Sequence, residues 1–252
     1  MHPLLATWWG LPVRSYAVAV LVAIAVAWWV RRTELRRLGF ARDPRHRWLG
    51  LAAVVGAMVG AKLGMLLFEG PEDFVATVAR LASLDFTGKT VVGGVIGGFV
   101  GVEIAKKRLG VTQRTGDAWA VALPLAQGIG RIGCLLDGCC PGKPTDLPWS
   151  IVVDGAARHP AQLYEAALDL TLAATLWAVR NQPRPAGDLF RLYLVGYASI
   201  RLGMEFLRSD AVPRVGPLTP VQVLCLAAML YFGVELVRRR RAGPWATPAD
   251  PA

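Results

Sequence analysis

Trp48-Leu-Gly-Leu-Ala-Ala-Val-Val-Gly-Ala-Met-Val-Gly-Ala-Lys-Leu-Gly-Met-Leu-Leu-Phe68 decides the fold. The run carries a single charge, Lys62. Its length matches the roughly 20 apolar residues a helix needs to cross a bilayer. Hydrocarbon offers no water to backbone N–H and C=O groups, so such a segment satisfies them internally as a helix.

Similar runs lie on either side: Ala17–Val30, with flanks from Val13, then Val91–Ile104, Ala118–Ile129, Ala161–Val179, Leu192–Ile200 and Val221–Val237. The shorter ones need polar flanks to complete a span. Together they predict an all-α, polytopic membrane protein of about seven transmembrane helices. Composition agrees. Hydrophobic residues make up 54% and charged residues 18% of the chain, against about 25% charged in soluble domains. Mean hydropathy is +0.41. We expect a single helical domain over residues 1–241 and a disordered cytoplasmic tail over 242–252, rich in proline and alanine. No basic n-region and cleavage site mark a signal peptide, so the first span is expected to stay as an anchor.

Charge placement orients the spans. Arg31, Arg32, Arg36, Arg37, Arg42, Arg45 and Arg47 follow the first run. Lys106, Lys107, Arg108 and Arg114 follow the third, Arg180, Arg184 and Arg191 the fifth, and Arg238 to Arg241 the last. The alternate loops are poor in basic residues. The positive-inside rule then places the N-terminus outside and the C-terminus in the cytoplasm, which requires an odd number of spans. The net charge of +10 is topological in this reading. The basic runs flank apolar spans and form no separate soluble module, which excludes a nucleic-acid partner.

Two outer segments are long. Glu69–Lys89 carries Glu69, Glu72, Asp73 and Asp85, and Asp137–His159 is rich in glycine and proline, with a short strand expected in Trp149–Val153.

Charges at membrane depth cost at least ~2.5 kcal/mol each on insertion scales and mark function by default. Helical spacing puts Tyr197, Arg201, Glu205 and Arg208 on one face. Two guanidiniums around one carboxylate leave surplus positive charge, which suits a phosphate or another anion; a salt bridge locking helices is the plain alternative. A second cluster is Gly128-Ile-Gly130-Arg131-Ile-Gly133-Cys134-Leu-Leu-Asp137-Gly138-Cys139-Cys140. Its glycines, near a helix end, allow close backbone approach, and Arg131 needs a partner or ligand. The third is Arg158-His159-Pro160-Ala-Gln162-Leu-Tyr164-Glu165. Pro160 suits the opening of the fifth helix, which would carry Gln162, Glu165 and Asp169 on one side, with Glu165 and Asp169 available to pair with Arg131 or Arg201. Tyr16 sits near the outer end of the first span, as interfacial tyrosines do. Gly93, Gly94, Gly97 and Gly98 read as tight helix packing, or as backbone approach to a lipid.

Cys134, Cys139 and Cys140 crowd one segment, while Cys225 reads as apolar packing. The spacing lacks the paired C-x2-C of a zinc site, and neither a metal nor a cofactor is expected. A disulfide of Cys134 with either neighbour fits an oxidising compartment, since adjacent cysteines pair only under strain. A thiol site at these three residues is the sharper alternative.

These motifs resemble those of the prolipoprotein diacylglyceryl transferases. Gly130-Arg-Ile-Gly133 and Gly138 follow that family's Gly-Arg-x-Gly-Asn-Phe-x-Asn-Gly-Glu, and Arg158-His-Pro-Ala-Gln-Leu-Tyr-Glu165 is similar to its Arg-His-Pro-Ser-Gln-Leu-Tyr-Glu. Gly196-Tyr-Ala-Ser-Ile-Arg201 with Glu205-Phe-Leu-Arg208 resembles its Gly-Tyr-x-x-x-Arg-x-x-x-Glu-x-x-Arg, and Tyr16 and the Gly93-Gly94 pair also have counterparts. The matches keep their order over most of the chain.

The resemblance implies a seven-span enzyme of the bacterial inner membrane that moves diacylglyceryl from phosphatidylglycerol to the lipobox cysteine of a prolipoprotein, releasing glycerol phosphate. It implies Arg131, Arg201, Glu205 and Tyr16 as catalytic residues. Gly130, Gly133, Asp137, His159, Gln162, Tyr164, Glu165 and Arg208 would bind substrate. Membrane lipids and the lipobox segment would be the partners. The chain departs from the pattern at Val92, where the family has His, at Cys134 and Asp137, where it has Asn, and at Cys139, where it has Glu. Two other readings stay open: a paralogue with a changed acceptor or cysteine-based chemistry, and a non-catalytic lipid-binding protein.

Overall fold

The structure, a computed structural model, describes residues 4–8, 11–68, 90–209, 211, 213 and 215–241. The acidic segment Glu69–Lys89 and the tail from Ala242 lie outside the described residues. Among the described residues there are seven α-helices: α1 (Ser15–Arg37), α2 (Arg45–Phe68), α3 (Val91–Leu109), α4 (Ala122–Asp137), α5 (Ala161–Val179), α6 (Asp188–Glu205) and α7 (Pro220–Arg241). A 3-10 turn, Gly116–Ala118, precedes α4. Each apolar run of the sequence falls in one of these helices, apart from the first four residues of the fourth run.

The bounds differ in two places. The fourth helix begins at Ala122, not Ala118, and runs on to Asp137. The glycine-arginine stretch is therefore inside α4 rather than beyond its end. The sixth helix extends past its apolar run on both sides, to Asp188 and Glu205, because polar residues there are buried against neighbouring helices. Among the described residues four segments are long and apolar enough to cross a membrane: Ser15–Arg37, Arg45–Gly64, Gly116–Asp137 and Pro220–Arg241.

Two small antiparallel hairpins accompany the helices: β1 (Leu4–Trp8) with β2 (Leu11–Arg14), and β3 (Ile151–Val153) with β4 (Ala156–Arg158). The second contains the expected strand and closes on Asp154-Gly155. Both residues have positive φ, 52° and 76°, as the two-residue turn that matches strand twist demands.

The chain forms two compact units, one from residues up to Leu38 together with those from Arg114 onward, the other from Gly39 to Gln113. In the smaller unit α2 and α3 pack through glycine. A Cβ on Gly60 would lie 2.6 Å from the Gly97 Cα, and one on Gly97 would lie equally close to Gly60. Gly56 and Gly101 meet in the same way at 3.2 Å. The spacing of four along both helices puts these hydrogens on one stripe, so the backbones touch. This is the packing reading of Gly93 and Gly97. Thr90 caps α3 by accepting from Gly93 N at 3.2 Å, and its own N–H donates to Ala61 O on α2.

In the larger unit α4 packs on both α1 and α5, and α6 on both α5 and α7. Asp117, in the 3-10 turn, accepts from Gly187 N and Phe190 N at 2.7 and 2.9 Å. It thereby caps α6 from another part of the chain. Several of the basic residues that flank the apolar runs also hold this unit together. Arg31 lies over Trp28 and Trp119, and Arg37 and Arg180 both pair with the buried Glu34.

Burial runs opposite to a soluble protein. Leu230 is 70% exposed and Leu21 67%, while Glu34 and Gln162 are 1% exposed and Asp169 is fully buried. Apolar side chains turned outward and polar ones turned inward are what a hydrocarbon surround selects.

Candidate functional site

The polar interior is a seam with a period of about one helical turn. α4 supplies Gln127 and Arg131, α5 supplies Gln162, Glu165 and Asp169, and α6 supplies Tyr193, Tyr197, Arg201 and Glu205. Residues three and four apart share a helix face. Three such faces meet because α5 packs on both its neighbours.

Arg131 Nη2 donates to Glu165 Oε1 at 2.9 Å. Arg201 Nη2 donates to Glu205 Oε2 at 2.7 Å, and its Nη1 lies 4.0 Å from Glu165 Oε2. Glu165 therefore stands between the two arginines, and all four side chains are buried. Arg201 Nη1 makes no hydrogen bond among the described residues. Asp169, one turn beyond Glu165, faces the same charges, and neither of its oxygens accepts a hydrogen bond among the described residues.

This corrects the charge reading. Sequence spacing suggests surplus positive charge on one face of α6, but that helix ends at Glu205, and Arg208 follows in a turn, bridged to Gly142. Arg208 is not carried on the Arg201 face by helical spacing. Arg131 and Arg201 are each already met by a carboxylate, from α5 and α6 respectively.

Glu205 has a second anchor. Its Oε1 accepts from Thr219 Oγ1 at 2.8 Å. Thr219 N donates to Gln222 Oε1 at 2.9 Å, and Gln222 N donates to Thr219 Oγ1 at 3.2 Å. That reciprocal pair is a capping box at the start of α7. Thr219 and Gln222 were missed from sequence, although Thr-Pro-Val-Gln carries the signal: a capping threonine, proline at the first helical position and glutamine three residues after the threonine.

The remaining sequence candidates fall into two groups. Tyr16, on α1, lies against α4 at Gly133, where a Cβ would sit 3.7 Å from the Tyr16 Cα and collide with Ala19. Tyr16 is an electrostatic neighbour of Arg131 and the three clustered cysteines. A Cβ on Gly130 would meet no atom within 4 Å, so packing within the chain does not require glycine there. Asp137 ends α4, with Oδ1 buried and accepting no hydrogen bond among the described residues.

The second group builds the loop between α4 and α5. His159 N donates to Lys143 O at 3.0 Å, and Gly142 N donates to His159 O at 3.0 Å. The His159 ring packs edge-on to Tyr164, with centroids 6.2 Å apart. Tyr164 Oη accepts from Trp149 Nε1 at 2.6 Å, and Lys143 N donates to Leu207 O at 2.8 Å. His159 and Tyr164 thus shape the loop and fasten it to the end of α6. Neither joins the arginine cluster. Gln162 links the groups, since its Nε2 donates to Cys139 O at 2.6 Å.

All four cysteines are free thiols in this structure; the pairing of Cys134 with Cys139 or Cys140, one of the readings open to the sequence, is not made in it. Cys140, beyond the end of α4, is held below the ordinary thiol range, first by the Cys134 and Cys139 thiols that hydrogen-bond to it and then by Arg208 and Arg131.

A family model described as prolipoprotein diacylglyceryl transferase matches residues 3–238. The chain is similar to the phosphatidylglycerol–prolipoprotein diacylglyceryl transferase of Rhodospirillum rubrum, with 32% identity over 252 positions that cover 94% of this chain and 91% of that protein. It is 33% identical to the protein of the same name from Bordetella avium over 207 positions, 79% of this chain and 78% of that one. For Chromohalobacter salexigens the figures are 35% over 202 positions, 78% and 75%.

Proposed function

The chain belongs to the prolipoprotein diacylglyceryl transferase family, and from that premise we propose that it is a transferase moving diacylglyceryl from phosphatidylglycerol to the cysteine thiol of a prolipoprotein lipobox. The S–C bond forms at the glycerol carbon as the C–O bond to phosphate breaks. The thiol proton passes to a base, and glycerol phosphate leaves.

The observation that carries this reading is the convergence of Arg131 and Arg201 on Glu165 in a buried setting. Preorganised cations in a water-poor site stabilise charge that develops on a departing phosphate, and cost little reorganisation at the moment of reaction. In this mechanism a phosphate oxygen takes the unused Arg201 Nη1 hydrogens and shares Arg131 with Glu165. Glu165 and Glu205 orient the two guanidiniums, and Thr219 fixes Glu205. Tyr16, Gly130, Gly133, Asp137 and Arg208 line the approach of lipid or acceptor. His159, Gln162 and Tyr164 hold the loop that covers it.

The alternation of basic flanks supports seven spans, with the N-terminus outside and the C-terminus in the cytoplasm. The membrane would be the bacterial cytoplasmic membrane, and the arginine cluster would open toward its outer leaflet.

Complementation tests the function. Expressed in a bacterium depleted of its own transferase, the chain should restore growth and lipoprotein lipidation, and Arg131→Ala should not. If the wild-type chain accumulates in the membrane yet fails, while a working relative succeeds in the same strain, the proposed reaction is rejected. Native mass spectrometry then separates a non-catalytic lipid binder, which retains phosphatidylglycerol, from a paralogue with another acceptor.

A further inference from the structure

The end of α4 gathers three thiols, and backbone geometry explains how. Gly138 adopts φ 79° and its N–H donates to Leu135 O, while Cys139 N donates to Cys134 O at 3.1 Å. These two bonds make the Schellman motif that closes many helices. The motif folds the chain back over the last turn, so Cys139 and Cys140 return to Cys134. Cys140 itself has φ 56°, so the chain continues to turn in the left-handed region after Gly138. Cys134 and Cys139 are the thiol neighbours of Cys140, with Arg208 and Arg131 beyond them. Cys134 is buried, Cys139 half-buried and Cys140 exposed.

Three fates suit such a cluster. A bound metal ion is not supported, because no group of three ligating side chains among the described residues is placed to hold one. A lipid intermediate on sulfur is chemically poor. Diacylglyceryl would be held as a thioether, and passing it on would expel a thiolate from saturated carbon. Thiol–disulfide exchange needs only an accessible thiolate and a second thiol within reach.

We propose that Cys140 and Cys134 form a reversible intramolecular disulfide by exchange with an external disulfide. The Cys140 thiolate attacks one sulfur of a small-molecule or protein disulfide, giving a mixed disulfide and releasing one thiolate. Cys134 then attacks the Cys140 sulfur, expels the second thiol and passes its proton to that leaving group. Two protein thiols are oxidised and one external disulfide is reduced to two thiols. Cys140 is the entry point because it is exposed and flanked by Arg208 and Arg131. Cys134 resolves because a bond between the adjacent Cys139 and Cys140 is strained.

The modification would sit beside the arginine site. Cys134 is one turn beyond Arg131 on α4. The Cys139 carbonyl between the paired residues holds Gln162, one turn before Glu165. Formation of the bond does not depend on the transfer reading, and the two are tested separately.

The test uses the full chain in detergent, incubated with oxidised glutathione at neutral pH, alkylated, digested and mapped by mass spectrometry. Two of the four cysteines should become protected, and a Cys134–Cys140 cross-linked peptide should appear and vanish with dithiothreitol. Cys139→Ser should keep the cross-link. Cys134→Ser should stop the reaction at a glutathione adduct on Cys140. A stable adduct on wild-type Cys140 with Cys134 still alkylated overturns the proposal. So does a cross-link to Cys139, or four alkylated cysteines.

Discussion

Thr219 donates its hydroxyl to Glu205 Oε1 at 2.8 Å, so the residue that caps α7 also fixes the carboxylate paired with Arg201. One hydroxyl thus serves two helices. Thr219→Val keeps the side-chain shape but removes both bonds. Loss of the cap costs about 1 kcal/mol. A buried carboxylate oxygen left unpaired costs a further ~1–3 kcal/mol. We expect a lower Tm in detergent and a transfer rate reduced by about tenfold or more through the loosened Arg201. Thr219→Ser should recover most of both. An unchanged Tm and rate in the valine variant would show that Glu205 holds Arg201 unaided.

Arg131 and Glu165 form a buried pair, so the effects of the two single variants should not add in the double. Glu165→Ala takes the carboxylate from the buried Arg131 guanidinium and should cost ~3–5 kcal/mol; Arg131→Ala should cost less, because Arg201 Nη1 still lies 4.0 Å from Glu165. The double variant should cost clearly less than the sum, with a coupling of about 0.5–3 kcal/mol in a thermodynamic cycle. Activity should behave otherwise. Arg131→Ala, alone or in the double, should lower transfer by ~100-fold or more, the scale of losing one transition-state donor. Additive stabilities would place the two residues in separate environments.

The contact of α2 with α3 makes a graded prediction. Gly60→Ala and Gly97→Ala each push a methyl to within 2.6 Å of a backbone Cα on the facing helix. Backbone cannot yield as a flexible side chain does, so overpacking of about 1–3 kcal/mol is expected. At Gly94 the nearest atom to an added Cβ is 3.5 Å away, an ordinary contact, and Gly94→Ala should be neutral or slightly stabilising through helix propensity. Thermal unfolding of the three variants side by side checks the order. Equal effects at Gly60 and Gly94 would rule out close packing at the stripe.

Cys140 should label as a thiolate below neutral pH. An ordinary thiol, with pKa near 8.5, loses thiolate about tenfold per unit as pH falls. Cys140 is held below that range by the Cys134 and Cys139 thiols and then by Arg208 and Arg131. A lowered pKa keeps the charged form present as pH falls, so its iodoacetamide labelling rate should change little between pH 8 and 6. Glutathione in the same tube should slow steeply. The profile is the readout, because a low-pKa thiolate is intrinsically the weaker nucleophile. A Cys140 rate that falls in parallel with glutathione refutes the assignment.

The sequence by itself determined the helices, because in hydrocarbon a long apolar run has one way to satisfy its backbone. Trp48–Phe68 reads as a span without any partner, and Arg131, Arg201 and Glu205 stand out through the cost of placing charge at that depth. The glycines at 93 and 97 were legible as packing residues because close helix contact leaves a spacing of four. The Asp154-Gly155 hairpin and the Thr219–Gln222 cap were written locally as well. The sequence offered Glu165 and Asp169 as partners for Arg131 or Arg201, and tertiary structure decided that Glu165 stands between both arginines. The sequence places Arg131, Glu165 and Arg201 on three different helices, and spacing within one helix says nothing of the face presented to another. It pointed to surplus positive charge on α6, whereas packing brought Glu165 of α5 between the two arginines and ended α6 at Glu205, before Arg208. Pairing across helices depends on how they rotate and cross, and those quantities come from the whole set of side chains that pack between them.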